Sequence, residues 1–420
     1  DIQFNFREEI EPVYRELVGL LLDESHPGQE RLKHARSIIE NLQVAQINDF
    51  FREACTTVEP EQIDSLIDNS SIPSAAIYAI ALPKKLAVIV KLPNRDPDSD
   101  AQDLLYYSHN IEKSKLEATV NDFIEEFKST HPTPKSRKLG KKLYDWLLLN
   151  AEENLQQKDI QNLVFILDTK LQRIPMAALV KDQKYLIRDY SVTLVPSLQL
   201  LQSEPVNVDR VNVLGAGVSE KQVLNGQEFS ALPKVKEELE RLEEQISNSE
   251  ILLNEEFKKT AFQNEVKSDT FPIIHIATHG QFSSNVEETY VIVWRNSLKI
   301  TDLESIIQTR ATQPVERQKQ QNIELLILTA CETAKGDERA TLGLAGLSVR
   351  AGARSTIASL RRVEEAENIY LIEQFYNQLL DNPNISKAKA LQQAQIALLE
   401  RGGADAPYYW ATYVLVGNWE

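Results

Sequence analysis

Sulfur is scarce in this chain: its 420 residues include two cysteines and one methionine. Cys55 and Cys331 lie far apart and form no disulfide framework, which fits a reducing compartment and a cytoplasmic location. The six histidines are scattered, with no HExxH or CxxC spacing, so neither zinc nor any other cofactor is expected. No apolar run approaches the roughly 18–20 residues of a membrane span. The opening "DIQFNFREEIEPVYRELVGLLL" has no basic segment ahead of an apolar one and does not read as a signal peptide. It also lacks an initiator Met and starts near what reads as a helix, as a piece of a longer chain would. Positive charge is in deficit. The formal net charge of −16 opposes the cationic surface that nucleic-acid binding needs. One basic run, "KSRKLGKK" (Lys135 to Lys142), goes the other way and reads as the solvated face of a helix. Neither a membrane nor a nucleic-acid partner is expected.

What is present is an ordinary globular composition, 42% hydrophobic and 26% charged, long enough for one to three domains. Residues 1–72 read as helical. "FREEIEPVYRELVGLLLDE" places Ile10, Val13, Tyr14, Leu17 and Leu21 on one helical face, and a second helix runs from Glu30 to about Ala54. Residues 73–160 form an α+β extension. "SAAIYAIAL", "KLAVIVKLP" and "LLYYSHNI" read as strands, the first two joined as a hairpin, and helices follow near Lys113–Lys128 and Ser136–Asn154. Residues 161–420 alternate short apolar, β-branched runs with helical segments. That rhythm predicts an α/β fold with a mostly parallel sheet and helices on both faces. The polar stretch Thr309 to Asn322 reads as an exposed loop.

Two of the predicted strands end alike. "PIIHIATHG" stops at His279-Gly280 and "ELLILTACE" at Cys331-Glu332. Ligands of open parallel sheets bind at the carboxyl ends of strands, so two such strands in one sheet would bring His279 and Cys331 to the same edge. Their separation, 279 to 331, matches the caspase-type spacing of about 50 residues. An imidazole beside a thiol can lower its pKa or hand a proton to a leaving amine. The N–H groups of Gly280 and Cys331 could receive an oxyanion, and small neighbours (Ala330, Thr333, Ala334) leave the sulfur accessible. Against this, a free cysteine ending a buried strand is commonly just a small hydrophobe. His279 could equally cap a turn. Cys55 lies in a helix-like segment and reads as structural, and His275 reads as core packing beneath the strand end.

"HIATHGQF", "LLILTACETAKG", "TLGLAGLSVRAGARSTIASLRRVEEAE", "FYNQLL", "KAKALQQAQIALL" and "PYYWATYVLVGNW", in that order, resemble a CHAT domain, the caspase-like domain associated with tetratricopeptide repeats. The resemblance is strong from Gln161 to Trp419, and the preceding section is similar to the extension that such cores carry. It implies a caspase-like fold of the caspase/separase group, with the nucleophile at Cys331 and the histidine at His279. It also implies a polypeptide substrate and a regulatory partner acting through upstream repeats, which this chain lacks. The family is widespread in bacteria.

One stretch departs from the family pattern: "SLRRVEEAE" carries Arg361 where relatives usually have tryptophan. Glu364 and Glu365 fall on the acidic positions that line the cleft, and relatives imply a pocket there for Arg or Lys at P1. These glutamates could instead simply open the following helix, where acids suit the dipole. Arg361 offers the opposite preference, for an acidic group. Asp168, ending the "NLVFILD" strand, is a third pocket candidate. Alongside the peptidase reading stand a non-catalytic signalling or scaffold module and a non-peptidase thiol hydrolase.

Overall fold

Apolar runs such as "SAAIYAIA" and "LAVIVK" can be stable strands only if both faces of their sheet are covered, and every residue of both is buried. The computed structural model describes residues 6–24, 26–51, 62–94, 103–201, 211–268, 271–283, 285–308, 323–329, 352–359, 365–403 and 405–420, without the side chains of 7, 169 and 365. The chain forms two compact units, Asp1–Ser203 with Glu420, and Glu204–Trp419. The segment bounds expected from the sequence, at 72 and 160, divide the chain differently. The strand Asn162–Leu167, expected to open the core, pairs inside the first unit.

In the first unit, helices α1 (Glu11–Leu21), α2 (Gln29–Phe51) and α3 (Gln62–Asp68) precede strands β1 (Ser74–Ala81), β2 (Leu86–Lys91) and β3 (Leu104–His109). Helices α4 (Lys113–Glu126) and α5 (Pro134–Leu147) then lead to β4 (Asn162–Leu167) and β5 (Ser191–Leu194). The strands lie in the order β5-β4-β1-β2-β3. β1 runs parallel to β4 and β4 to β5, while β1-β2 is the antiparallel hairpin predicted and β3 extends it into a meander. Helix α1 corrects the sequence reading. It buries Arg15, Val18 and Leu22, and leaves Ile10, Val13 and Leu17 of the expected inner face exposed. The cause is electrostatic. Arg15 turns inward to a buried carboxylate, and the helix rotates with it. The basic run on α5 is occupied within the chain: Lys135 pairs with Glu126, Lys141 with Asp145, and Arg137 and Lys142 lie over the rings of Tyr185 and Trp146.

The second unit holds β6 (Val213–Gly217), α6 (Pro233–Gln245), β7 (Ser249–Leu253), α7 (Lys259–Lys267) and β8 (Ile273–Ala277). A small antiparallel sheet of β9 (Gly280–Gln281), β10 (Tyr290–Val293) and β11 (Asn296–Lys299) comes next, followed by α8 (Ile300–Gln308). Strands β12 (Ile323–Thr329) and β13 (Ala353–Ser359), helices α9 (Glu365–Asp381) and α10 (Lys387–Glu400), and strand β14 (Tyr413–Gly417) complete it. The main sheet runs β7-β6-β8-β12-β13-β14. All its neighbours are parallel except β14, which is antiparallel to β13. This is the mostly parallel, helix-flanked α/β architecture that the alternating runs predicted. The glycines of "VLGAG" set how closely α6 approaches. A Cβ at Gly217 would lie 2.6 Å from the Ala277 carbonyl oxygen and 2.8 Å from Val235, and one at Gly215 would meet Ile251 and Leu239. Without those atoms, α6 lays Val235 and Leu239 directly on the sheet beside Ala277. Among the described residues no helix is long and apolar enough to cross a membrane.

Candidate functional site

Strands β8 and β12 are parallel neighbours with Ala277 opposite Thr329, and β13 continues the register with Leu328 opposite Ala358. The three chains therefore leave the sheet at one level. His279, Cys331 and Arg361 each stand two residues beyond it. Cys331, Arg361 and Glu364, the side chain of Glu365, Cys55 and the expected loop 309–322 lie outside the described residues.

His279 is described in full. Its backbone is clamped just past β8: its carbonyl accepts the Ile292 N–H at 2.8 Å, and the preceding Thr278 hydroxyl donates to the Ile292 carbonyl at 3.0 Å. Gly280 sits opposite Val291 in the next, non-bonded pair of that ladder. Alternation along an antiparallel pair turns its N–H away from β10. The half-buried imidazole of His279 has its Nε2 at 2.7 Å from the Ser230 carbonyl oxygen and its ring 5.7 Å from that of Phe229. A carbonyl only accepts, so Nε2 carries the proton. In the neutral ring, Nδ1 then keeps the lone pair a base needs. No described residue occupies Nδ1.

Ser230 and Phe229 were not anticipated from the sequence. Phe229 ends, and Ser230 follows, a short hairpin, Gln222–Leu224 with Gln227–Phe229, closed by Asn225-Gly226, both at positive φ. The dipeptide Asn-Gly between two short runs is the hairpin signal that would have found them.

Asp168 lies in the first unit, one residue past β4, and is 4% exposed. Its two oxygens take both terminal nitrogens of Arg15, Oδ1 at 2.6 Å, and Oδ2 also accepts the Ala81 N–H at 3.0 Å. Burial works against the charge on Arg15, but the Asp168 and Glu11 carboxylates outweigh it and raise its pKa. The carboxylate expected to line a substrate pocket is thus already neutralised by the chain's own arginine. Among the described residues no group of three or more His, Cys, Asp or Glu side chains could hold a metal ion.

Comparison with known proteins places this geometry. The profile of the CHAT domain matches residues 137–418. No curated protein matches the chain in sequence. Among solved structures it is similar to separase of Saccharomyces cerevisiae in its complex with securin. For the 3.0 Å crystal structure of that complex the TM-score is 0.59 at 11% identity, over 96% of this chain and 36% of the other. For the 2.6 Å structure the TM-score is 0.53 at 11% identity, over 93% and 34%. The chain spans about a third of the length of the separase it matches. A looser likeness, with a TM-score of 0.42 at 11% identity over 73% of this chain and 75% of the other, is to the Arg specific cysteine proteinase gingipain R. The separase match shows a shared caspase-like fold.

Proposed function

Because the chain belongs to the CHAT domain family, we propose that it is a cysteine endopeptidase with Cys331 as nucleophile and His279 as its acid–base partner. The observation that supports this reading is the common level at which β8 and β12 end, with His279 and Cys331 each two residues further along the sequence. The thiol gives its proton to His279 Nδ1 and the thiolate attacks a peptide carbonyl. The N–H groups of Gly280 and Cys331 receive the oxyanion. Collapse expels the amine with the proton from His279, and water then hydrolyses the acyl-enzyme.

The substrate is a polypeptide. Glu364 and Glu365 favour Arg or Lys at P1, with Arg361 as the residue that would reverse this. The enzyme is latent until a protein partner engages repeats upstream of this chain. Separase in complex with securin offers a parallel for the binding of a protein partner to such a fold.

An electrophilic peptide probe tests the reading. It should label the wild-type protein and Cys55→Ala, and should fail on Cys331→Ala and His279→Ala. Labelling that persists in Cys331→Ala, or that is absent from wild type under activating conditions, would favour the scaffold alternative. A P1-randomised peptide library reads specificity, and cleavage after Asp with none after Arg or Lys would overturn the glutamate pocket.

A further inference from the structure

Beneath the strand ends lies a buried carboxylate that the proposed chemistry does not use. Glu238, on α6, is 4% exposed. Its Oε1 accepts the Thr329 hydroxyl at 2.8 Å and lies 2.9 Å from His275 Nε2, and its Oε2 accepts the Asn368 amide at 2.9 Å. Asn368 in turn accepts the Tyr413 hydroxyl. His275 Nδ1 lies 3.2 Å from the Tyr376 hydroxyl, with the two rings stacked 6.0 Å apart. His275, Thr329 and Tyr376 are wholly buried.

With Glu238 ionised and the imidazole neutral, the protons have one consistent arrangement. Thr329 and Asn368 donate to the carboxylate. His275 Nε2 then also donates, which leaves Nδ1 to accept from Tyr376. A single side chain thereby ties α6 to β8, β12 and α9, and through Asn368 to β14.

Such a cluster is a costly way to hold a fold together. Apolar side chains of the same shape commonly do as well or better. Its position suggests what it gains. His275 lies in β8, four residues before His279. Thr329 is the last residue of β12, two before Cys331. Asn368 lies in the first turn of α9, directly after the "SLRRVEE" stretch. Each bond of the hub fixes a chain that leads into the candidate site.

We infer that Glu238 is a positioning residue for the dyad. It locks together the ends of β8 and β12, the two strands from which the chain runs on to His279 and Cys331. This rests on the peptidase reading above.

The test uses the full chain and the variants Glu238→Gln, Thr329→Val and Thr329→Ser. The glutamine keeps the shape but must aim an N–H at one of the hub's donors. The valine deletes one hydroxyl, and the serine restores it. Saturation kinetics with the electrophilic peptide probe give kinact and KI. Alkylation of Cys331 by iodoacetamide, followed by mass spectrometry with Cys55 as internal reference, needs no peptide cleft. Thermal unfolding confirms that each variant is folded. Misplacing a reacting group by about 1 Å can cost on the order of 100-fold. Glu238→Gln and Thr329→Val should therefore lose about tenfold or more in kinact at nearly constant KI, and Thr329→Ser should recover most of it. Wild-type kinact in folded Glu238→Gln and Thr329→Val overturns the inference, as does a change confined to KI. If the peptide probe fails on wild type even under activating conditions, the peptidase reading falls. The alkylation rate still decides the hub: equal Cys331 rates in wild type and all variants overturn it, and slower rates restored by Thr329→Ser support it.

Discussion

His279 donates its Nε2–H to the carbonyl oxygen of Ser230 at 2.7 Å, which in the neutral ring leaves the lone pair on Nδ1. The Phe229 ring lies 5.7 Å away, tilted by 48° to the imidazole. Phe229→Ala keeps the hairpin and the carbonyl but removes the aromatic ring. On any peptide the wild type cleaves, kcat should fall by about 10- to 100-fold, with KM nearly unchanged, because a misplaced base costs rate rather than binding. Steady-state kinetics check this. An unaltered kcat would show that the carbonyl alone orients the imidazole.

The sheet and its exits were legible because each strand is a short β-branched run that stops at a polar residue. "IIHIATHG" and "LLILTACE" show that without any tertiary information. Glu238 was not legible. It is one of several glutamates in "PKVKEELERLEEQ", and which of them turns inward depends on how α6 lies across β6. The buried face of α1 was misread for a related reason: a spacing rule scores leucines, whereas the helix is oriented by Arg15 reaching a carboxylate 153 positions away. Long-range ion pairs leave no local pattern to read. The Ser230 contact is an intermediate case, since "LNGQ" marks the turn but not what the hairpin packs against.

Gly217→Ala should expose how tightly the site's scaffold is packed. The new Cβ would sit 2.6 Å from a backbone oxygen, Ala277 O, which cannot swing away as a side-chain tip could. Overpacking of this kind costs about 1–3 kcal/mol. The displaced carbonyl is the last of β8, two residues before His279. Thermal unfolding should show a lower Tm, and the folded fraction should react more slowly with the probe. An unchanged Tm would mean that α6 and β8 separate more easily than their packing implies.

Arg15 and Asp168 make the first unit dependent on a buried ion pair. Removing one partner leaves an uncompensated charge. Arg15→Ala should therefore cost about 3–5 kcal/mol in urea unfolding. Arg15→Met combined with Asp168→Leu removes both charges and should recover much of that loss, although Ala81 N–H then loses its acceptor. A double variant as unstable as Arg15→Ala would show that the bond to Ala81, rather than the charge pairing, carries the stability.

The pH dependence of the first unit should have a component of unusual sign. Burial raises the pKa of Glu40 above its ordinary value of 4.5, only partly offset by hydrogen bonds from Ser197, Tyr78 and the Gln199 N–H and by the charge of Arg36. The folded state thus holds this proton more tightly than the unfolded chain does. Its contribution to stability is complete below about 4.5 and is lost as pH rises through the raised value. Asp64 works the other way, since Arg36 outweighs the effect of burial and lowers its pKa, so its contribution is lost as pH falls. Glu40→Gln separates the two, because the amide cannot titrate and Asp64 remains. Urea unfolding of both proteins from pH 4 to 8 should show wild type at its best relative to Glu40→Gln at the acid end, with its advantage shrinking as pH rises. A difference that is flat, or that grows with pH, would mean that the hydrogen bonds from Tyr78 and Ser197 keep the carboxylate ionised despite its burial.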